Sequence, residues 1–235
     1  MNSENTNMLY GYADSILAGA LVTIKVGVFS FAVALVLGLL VANAKLSKHR
    51  WLAWPATAFT SVMRSAPDFV WLLFLYYGGQ TALNLLGQRM GFQAIDIDAF
   101  AASVIILGVI YSAYLAETFR GAFLAVDKGQ AESAQAFGFN RLQVQMHIVV
   151  PQMMRFALPG ISNNWLVMLK ATAITSMVSL NELIFLSRSA GKATGHGLEL
   201  LIVAALIYLL LSTVSVVALR FIAAHYAAGS KEITL

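Results

Sequence analysis

Acidic, basic and amide side chains interrupt apolar runs at few places in this sequence: Asp68 in Arg64-Ser65-Ala66-Pro67-Asp68, Glu117 behind the run that begins at Ala99, and Asn163, Asn164 and Lys170 inside another. A carboxylate in such surroundings either neutralises a cation of its own chain or attracts a cationic ligand through Coulomb forces and charge-assisted hydrogen bonds. For Asp68 the first option is an ion pair with Arg64 or a helix cap. The second is contact with a guanidinium or ammonium cargo, consistent with Pro67, because a broken helix with freed carbonyls is tolerated where backbone lines a cavity; the two stand evenly. Glu117 either faces a solute path or pairs with Arg120, three residues on along one helix face, and pairing is favoured. Asn163 and Asn164 point ~100° apart on a helix, so that one lines the path while the other holds a neighbouring helix. Lys170 lies about two turns beyond Asn163 on the same face; it grips a ligand carboxylate or neutralises one elsewhere in the bundle. Lys25 is expected to snorkel outward.

None of these groups is arranged for catalysis. His49, His147, His196 and His225 have no metal-ligand spacing and are expected at the surface; there is no cysteine and no metal site. A membrane enzyme would need an acid/base cluster that the sequence does not offer. With 11% charged and 59% hydrophobic residues in 235, the chain cannot cover a soluble globule with polar surface. The net charge of +4 is too small and too scattered for a nucleic-acid partner. The composition demands an integral membrane protein in contact with a lipid bilayer.

The elements that must position these residues are therefore transmembrane helices, each needing about 20 apolar residues. Five stretches qualify: Val26–Ala44 with its lead Ser15–Ile24, Phe69–Gln88, Ala99–Ala116, a stretch from about Phe156 across Lys170 that fades near Asn181, and Leu200–Leu219. Residues 51–88 form either one bent helix or two. The head, Met1–Gly11, lacks the basic residues of a signal peptide. Lys45, Lys48, Arg50, Arg120, Lys128, Arg141, Arg155, Arg220 and Lys231 fall on one side of the spans, and only Arg89, Arg188 and Lys192 on the other. The positive-inside rule then puts the N-terminus outside and the C-terminus in the cytoplasm. The fold class expected is an all-α integral membrane helical bundle forming one domain over residues 1–235.

The segment 117–151 is an amphipathic loop. Asp127 with Gln130 reads as a capping box opening a helix from about Lys128 to Phe137. Gly138 stands where a left-handed C-cap is wanted. Asn140 with Gln143 repeats the start signal, and the second helix is expected to end or bend at Pro151. Periodicity alone leaves open a surface-lying or re-entrant connector.

Here a family resemblance appears. Glu132-Ser133-Ala134-Gln135-Ala136-Phe137-Gly138, nine residues, then Ile148-Val149-Val150-Pro151 resembles the EAA loop of bacterial ABC importer permeases, with Ser133 and Val150 as conservative departures. Ala116–Gln130, Leu158–Trp165 and Leu169–Ala173 are similar to its polar amino-acid branch, above all to permeases of histidine/lysine/arginine/ornithine importers (HisQ type) and their opine-carrying relatives. The resemblance implies a MetI-like permease fold with a five-helix core in the bacterial inner membrane. It implies a homologous second permease subunit of HisM type, two ABC ATPase subunits that hold ATP-Mg, and a periplasmic solute-binding protein. This chain has no phosphate-binding loop of its own, so no cofactor is expected in it. Glu132 would then contact the ATPase, Ser133 would lie beside it, Ala134 and Ala136 would keep the docked face thin, and Gly138 would permit the reversal after the coupling helix. Ile148 and Pro151 would close the motif. The carboxylate after Pro67, where neutral amino-acid permeases carry an apolar residue, points to basic amino acids, with opines such as octopine as the alternative. The rival class, an ATP-independent secondary transporter, more often carries inverted repeats, and none is present here.

Overall fold

The computed structural model describes residues 8–91 and 96–227. The head 1–7, residues 92–95, the tail from 228 with Lys231, and the side chain of His225 lie outside the described residues.

After a 3-10 turn, Met8–Gly11, helix α1 (Ala13–Leu46) runs unbroken through the expected first span and its lead. At 1.5 Å per residue it is about 51 Å long, well beyond the ~30 Å of hydrocarbon. Residues 51–88 are two helices, α2 (Arg50–Met63) and α3 (Asp68–Arg89). The break lies at Pro67, which fixes its own φ and drives Ala66 out of the helical region. α4 (Ala99–Ala125) follows, opened by Asp98, whose side chain accepts the Ala101 N–H. Then come α5 (Lys128–Ala136), α6 (Arg141–Gln143), a π turn (Val144–Val149), α7 (Val150–Ala171), a 3-10 stretch (Thr172–Val178), α8 (Leu183–Thr194) and α9 (Gly197–Ala227).

Among the described residues, four helices are long and apolar enough to cross a membrane: α1, α3, α4 and most of α9. A fifth crossing is counted when the bent pair Arg141–Val178 and Leu183–Thr194, set at 53° to each other, is taken as one broken span. It starts earlier than Phe156 and does not fade at Asn181. Ser179 adopts a left-handed φ of 60° there, and the chain turns into α8.

α4 is the central post, and α1 packs along it. The residues that α1 buries are mostly small, including Gly19, Ala20, Thr23, Gly27, Ser30, Ala34, Gly38 and Ala42. Small residues let membrane helices approach closely, where dispersion replaces the missing hydrophobic drive. A Cβ at Gly38 would come within 2.8 Å of the Leu115 Cβ, and one at Gly108 within 2.6 Å of the Val33 Cγ1. The order of these contacts makes α1 and α4 parallel. A second apolar cluster joins Ile16 and Ala20 of α1 to Leu183 and Ala190 of α8 and Leu200 and Ala204 of α9. At that end the Tyr10 hydroxyl donates to Glu199, which raises its pKa, and the Tyr10 ring stacks on His196 with centroids 4.2 Å apart.

The expected bend at Pro151 is not made by ending a helix. The chain stays helical, and the widened turn before it carries a bond from the Val150 N–H to the Gln145 carbonyl. Pairing i to i+5 opens the helix where the proline ring would otherwise strike the carbonyl one turn back.

Candidate functional site

The break between α2 and α3 is built on α4. Asp68 is the first residue of α3, where the positive end of the helix dipole favours a carboxylate. It is half-buried, and its Oδ2 accepts a 2.7 Å hydrogen bond from the Tyr111 hydroxyl. Tyr111 stands near the middle of α4. Arg64 does not pair with Asp68; its guanidinium lies 5.4 Å from the centroid of the Tyr114 ring. Asp68 makes no ion pair among the described residues.

Glu117 behaves differently. One oxygen accepts from Arg120 Nε at 2.9 Å, the other from Lys45, and Lys45 also donates to Thr60 at 2.7 Å. The pairing with Arg120 is thus joined by a second cation from α1. Both oxygens are engaged, so the placement of Glu117 on a solute path gives way to a structural role: it ties α1, α2 and α4 together at one end of the bundle.

The two asparagines divide as their angle requires. Asn164 donates to Thr118 Oγ1 at 3.1 Å and to the Gly160 carbonyl at 2.8 Å, pinning α7 to α4 where a Cβ on Gly160 would meet Thr118 at 2.5 Å. Asn163 is exposed and makes no hydrogen bond among the described residues. Lys170 is exposed on the same face of α7. It opens onto a hollow of about 550 Å³ that also touches Ile184, Leu201, Tyr208 and Ser212. Neighbouring Leu169 abuts Gly27, close to the midpoint of α1, so this exposed cation sits about halfway along the bundle. No carboxylate among the described residues pairs with it.

A further carboxylate escaped the sequence analysis. Glu182, at the α7–α8 bend, is fully buried. Its oxygens accept the backbone N–H groups of Ile184 at 2.9 Å and Phe185 at 2.7 Å, with the hydroxyls of Thr23 and Tyr208 each at 3.4 Å. It caps α8 from inside the protein. The signal was available: an acid among Leu180, Leu183 and Ile184 passes the same test that singled out Asp68.

The helix of the α4–α7 loop starts and stops as its caps dictate. Asp127 accepts from the Gly129 N–H at 2.6 Å. The reciprocal bond from Gln130 is not formed; the full capping box is the second one, Asn140 with Gln143, both bonds at 2.9 Å. Gly138 has φ +87°, the Phe139 N–H reaches the Ala134 carbonyl at 3.1 Å and the Gly138 N–H the Gln135 carbonyl at 2.9 Å. This is a Schellman turn, and glycine is its natural residue. Glu132, Ser133 and Ala136 point into solvent, as does Phe137 with 86% exposure. Ala134 is buried instead. α5 packs on the π turn, and the reversal at Gly138 folds the chain over that side. Ala134 therefore packs within the loop, while Ala136 stays on the open side of α5. Ile148 is half-buried in the π turn and Pro151 is exposed.

Among the described residues no cluster of His, Cys, Asp or Glu could hold a metal ion. His49, His147 and His196 are exposed.

Comparison with known proteins agrees with this architecture. Permease protein HisQ of the histidine/lysine/arginine/ornithine transport system of Escherichia coli (strain K12) is 46% identical over 97% of this chain and 100% of its own length. Arginine ABC transporter permease protein ArtQ from the same strain is 35% identical, covering 82% of this chain and 87% of its own. Octopine transport system permease protein OccQ of Rhizobium meliloti is 30% identical over 94% of both. A crystal structure of an amino acid ABC transporter with histidines superposes with a TM-score of 0.79 at 27% identity, covering 96% of this chain and all of that one. The MetNI methionine ABC transporter in an inward-facing form shares the fold at a TM-score of 0.68 and 15% identity. The model for "Binding-protein-dependent transport system inner membrane component" matches residues 34–227. With apolar helices enough for a multi-pass membrane protein, a MetI-like ABC permease fold and that match, the chain belongs to the family of binding-protein-dependent transport system inner membrane components.

Proposed function

We propose that this chain is one of two permease subunits of an ATP-driven importer of basic amino acids in a bacterial inner membrane. The observation that carries the reading is Asp68: a half-buried carboxylate at a broken helix, held by one tyrosine, with no ion pair among the described residues. A guanidinium or ammonium cargo supplies the missing positive charge. Asn163 and Lys170 are unpartnered polar groups on the open face of α7, and Lys170 suits a cargo carboxylate or an acid of the second permease.

The exposed edge of α5, with Glu132, Ser133 and Ala136 beside Phe137, is the docking point for an ATPase that binds ATP-Mg, with a homologous permease and a periplasmic binding protein completing the complex. The N-terminus lies outside and the C-terminus in the cytoplasm, as the basic residues require. ATP-driven movement of α5 passes through the π turn and α7 to the cavity. Gly138→Asp tests this link. A Cβ there meets nothing within 4 Å, but φ +87° strains any side chain. The variant should insert normally, hydrolyse ATP and fail to transport; normal uptake would refute the coupling role.

OccQ supports octopine-like cargo as a second reading, since an opine carries the same cationic side chain beside an extra carboxylate. Uptake competition in vesicles holding the full complex separates the two, using arginine, histidine, octopine and glutamine with Asp68→Asn as control. Basic cargo is expected to compete best and to lose its advantage in Asp68→Asn. Preferred glutamine with no effect of Asp68→Asn would overturn the assignment.

A further inference from the structure

Helix α2 carries an outer face that neither the bundle nor the proposed transport path uses. Its 14 residues span about 21 Å, too short to cross the hydrocarbon alone. Thr60 is its one buried residue. Trp51 and Trp54, three positions apart and so neighbours on one face, are 72% and 76% exposed. Lys48 and Arg50 beside them are exposed as well, and neither has an acidic partner among the described residues. From residue 15 to residue 67 the sequence holds no Asp or Glu at all.

The depth of this face follows from contacts with α4. Asp68 meets Tyr111, Arg64 lies over Tyr114, and Thr60 shares Lys45 with Glu117. Going backward along α2 therefore means descending α4 toward its C-terminal end. Arg50 and Trp51 lie further down, only a few residues from the end of α1 at Leu46. They stand at the end of the bundle where α4 runs out and α5 begins, where the apolar run of α1 gives way to Lys45, Lys48 and Arg50, as a span does on leaving the hydrocarbon. Indole rings prefer the boundary between hydrocarbon and water, and exposed cations next to them suit anions there.

We infer that α2 is an interfacial helix whose Lys48, Arg50, Trp51 and Trp54 bind anionic phospholipid headgroups of the leaflet on the α5 side. The charge complementarity is one-sided: four cations (Lys45, Lys48, Arg50 and Arg64) and no acid lie between residues 45 and 67, and Lys45 is consumed by Glu117 while Arg64 is turned onto Tyr114. That leaves Lys48 and Arg50 for phosphate. A hollow of about 240 Å³ between Arg50, Ala53, Trp54 and Thr57 gives the headgroup a seat. This inference does not depend on which solute is carried.

The test uses the complete transporter, with its partner subunits, in nanodiscs of phosphatidylcholine containing brominated phosphatidylglycerol or brominated phosphatidylcholine. Wild type should lose more tryptophan fluorescence to the brominated anionic lipid than to the zwitterionic one, and Trp51→Phe/Trp54→Phe should remove that excess. Lys48→Gln and Arg50→Gln should each cut the preference for phosphatidylglycerol about fivefold. Equal quenching by both lipids in wild type would overturn the inference. So would excess quenching in the isolated permease pair that vanishes in the complete transporter, because α2 would then face a protein partner. Uptake of basic amino acids measured in the same nanodiscs keeps failure here separate from failure of the transport assignment.

Discussion

Two helix breaks in this molecule each hold a carboxylate, and their surroundings differ in kind. At the α7–α8 bend, Glu182 is fully buried and its oxygens are taken by two backbone N–H groups and two hydroxyls. At the α2–α3 break, Asp68 is half-buried and accepts from one tyrosine hydroxyl. A carboxylate saturated by its own chain is part of the scaffold, because the fold has already replaced the water it lost. One with acceptor capacity to spare still attracts a donor from outside. Depth alone does not separate the two; the count of donors does.

Removing each side chain should break the comparison in opposite ways. The largest effect is expected for Glu182→Ala, which strands two partly buried N–H donors at the start of α8 and should cost about 2 kcal/mol of stability. It is read as a lowered melting temperature of the solubilised complex. Unchanged stability with a weakened KM would mean that Glu182 also meets the cargo. Asp68→Asn should leave the melting temperature nearly unchanged but lower arginine uptake, in kcat/KM, by tenfold or more, since a hydrogen bond to a charged group contributes about 2 kcal/mol. A loss of stability without loss of uptake would move Asp68 into the scaffold class. Tyr111→Phe removes only the hydroxyl that orients Asp68, and should cost about fivefold in the same assay, or ~1 kcal/mol. Glu182→Gln should be the mildest for transport: the amide oxygen keeps one of the two N–H bonds while the NH2 faces the other donor, so some stability is lost, and transport within about twofold of wild type would sharpen the view of Glu182 as a cap.

Much of the fold was legible for direct reasons. A span must be long and apolar whatever it packs against, so α1, α3, α4 and α9 follow from hydropathy. The ends of α5 followed from Asp127 and Gly138, because caps act within a few residues. The pairing of Glu117 with Arg120 followed from spacing alone, whereas Lys45 came from 72 residues away and left no local trace. The division between Asn163 and Asn164 was legible as an angle, but which of them faced α4 was decided by Gly160 and Thr118. Pro151 shows a local rule met in one of its two ways: of an end or a bend, the helix did not end but widened into a π turn.

By itself, the sequence determined that this chain lives in a membrane, roughly where it crosses, and where its long loop starts and stops its helices. Those properties are set by composition and by short-range spacing, whereas the loop's place in a transport permease came from its resemblance to a family. Only the tertiary structure decided that residues 51–88 are two helices, that Ala134 faces inward, that Glu182 is a cap and that Asp68 keeps an acceptor free. Each of these depends on which groups from distant segments arrive within hydrogen-bonding distance. In a low-dielectric interior those few contacts decide whether a charge is neutralised by its own chain or left for a ligand.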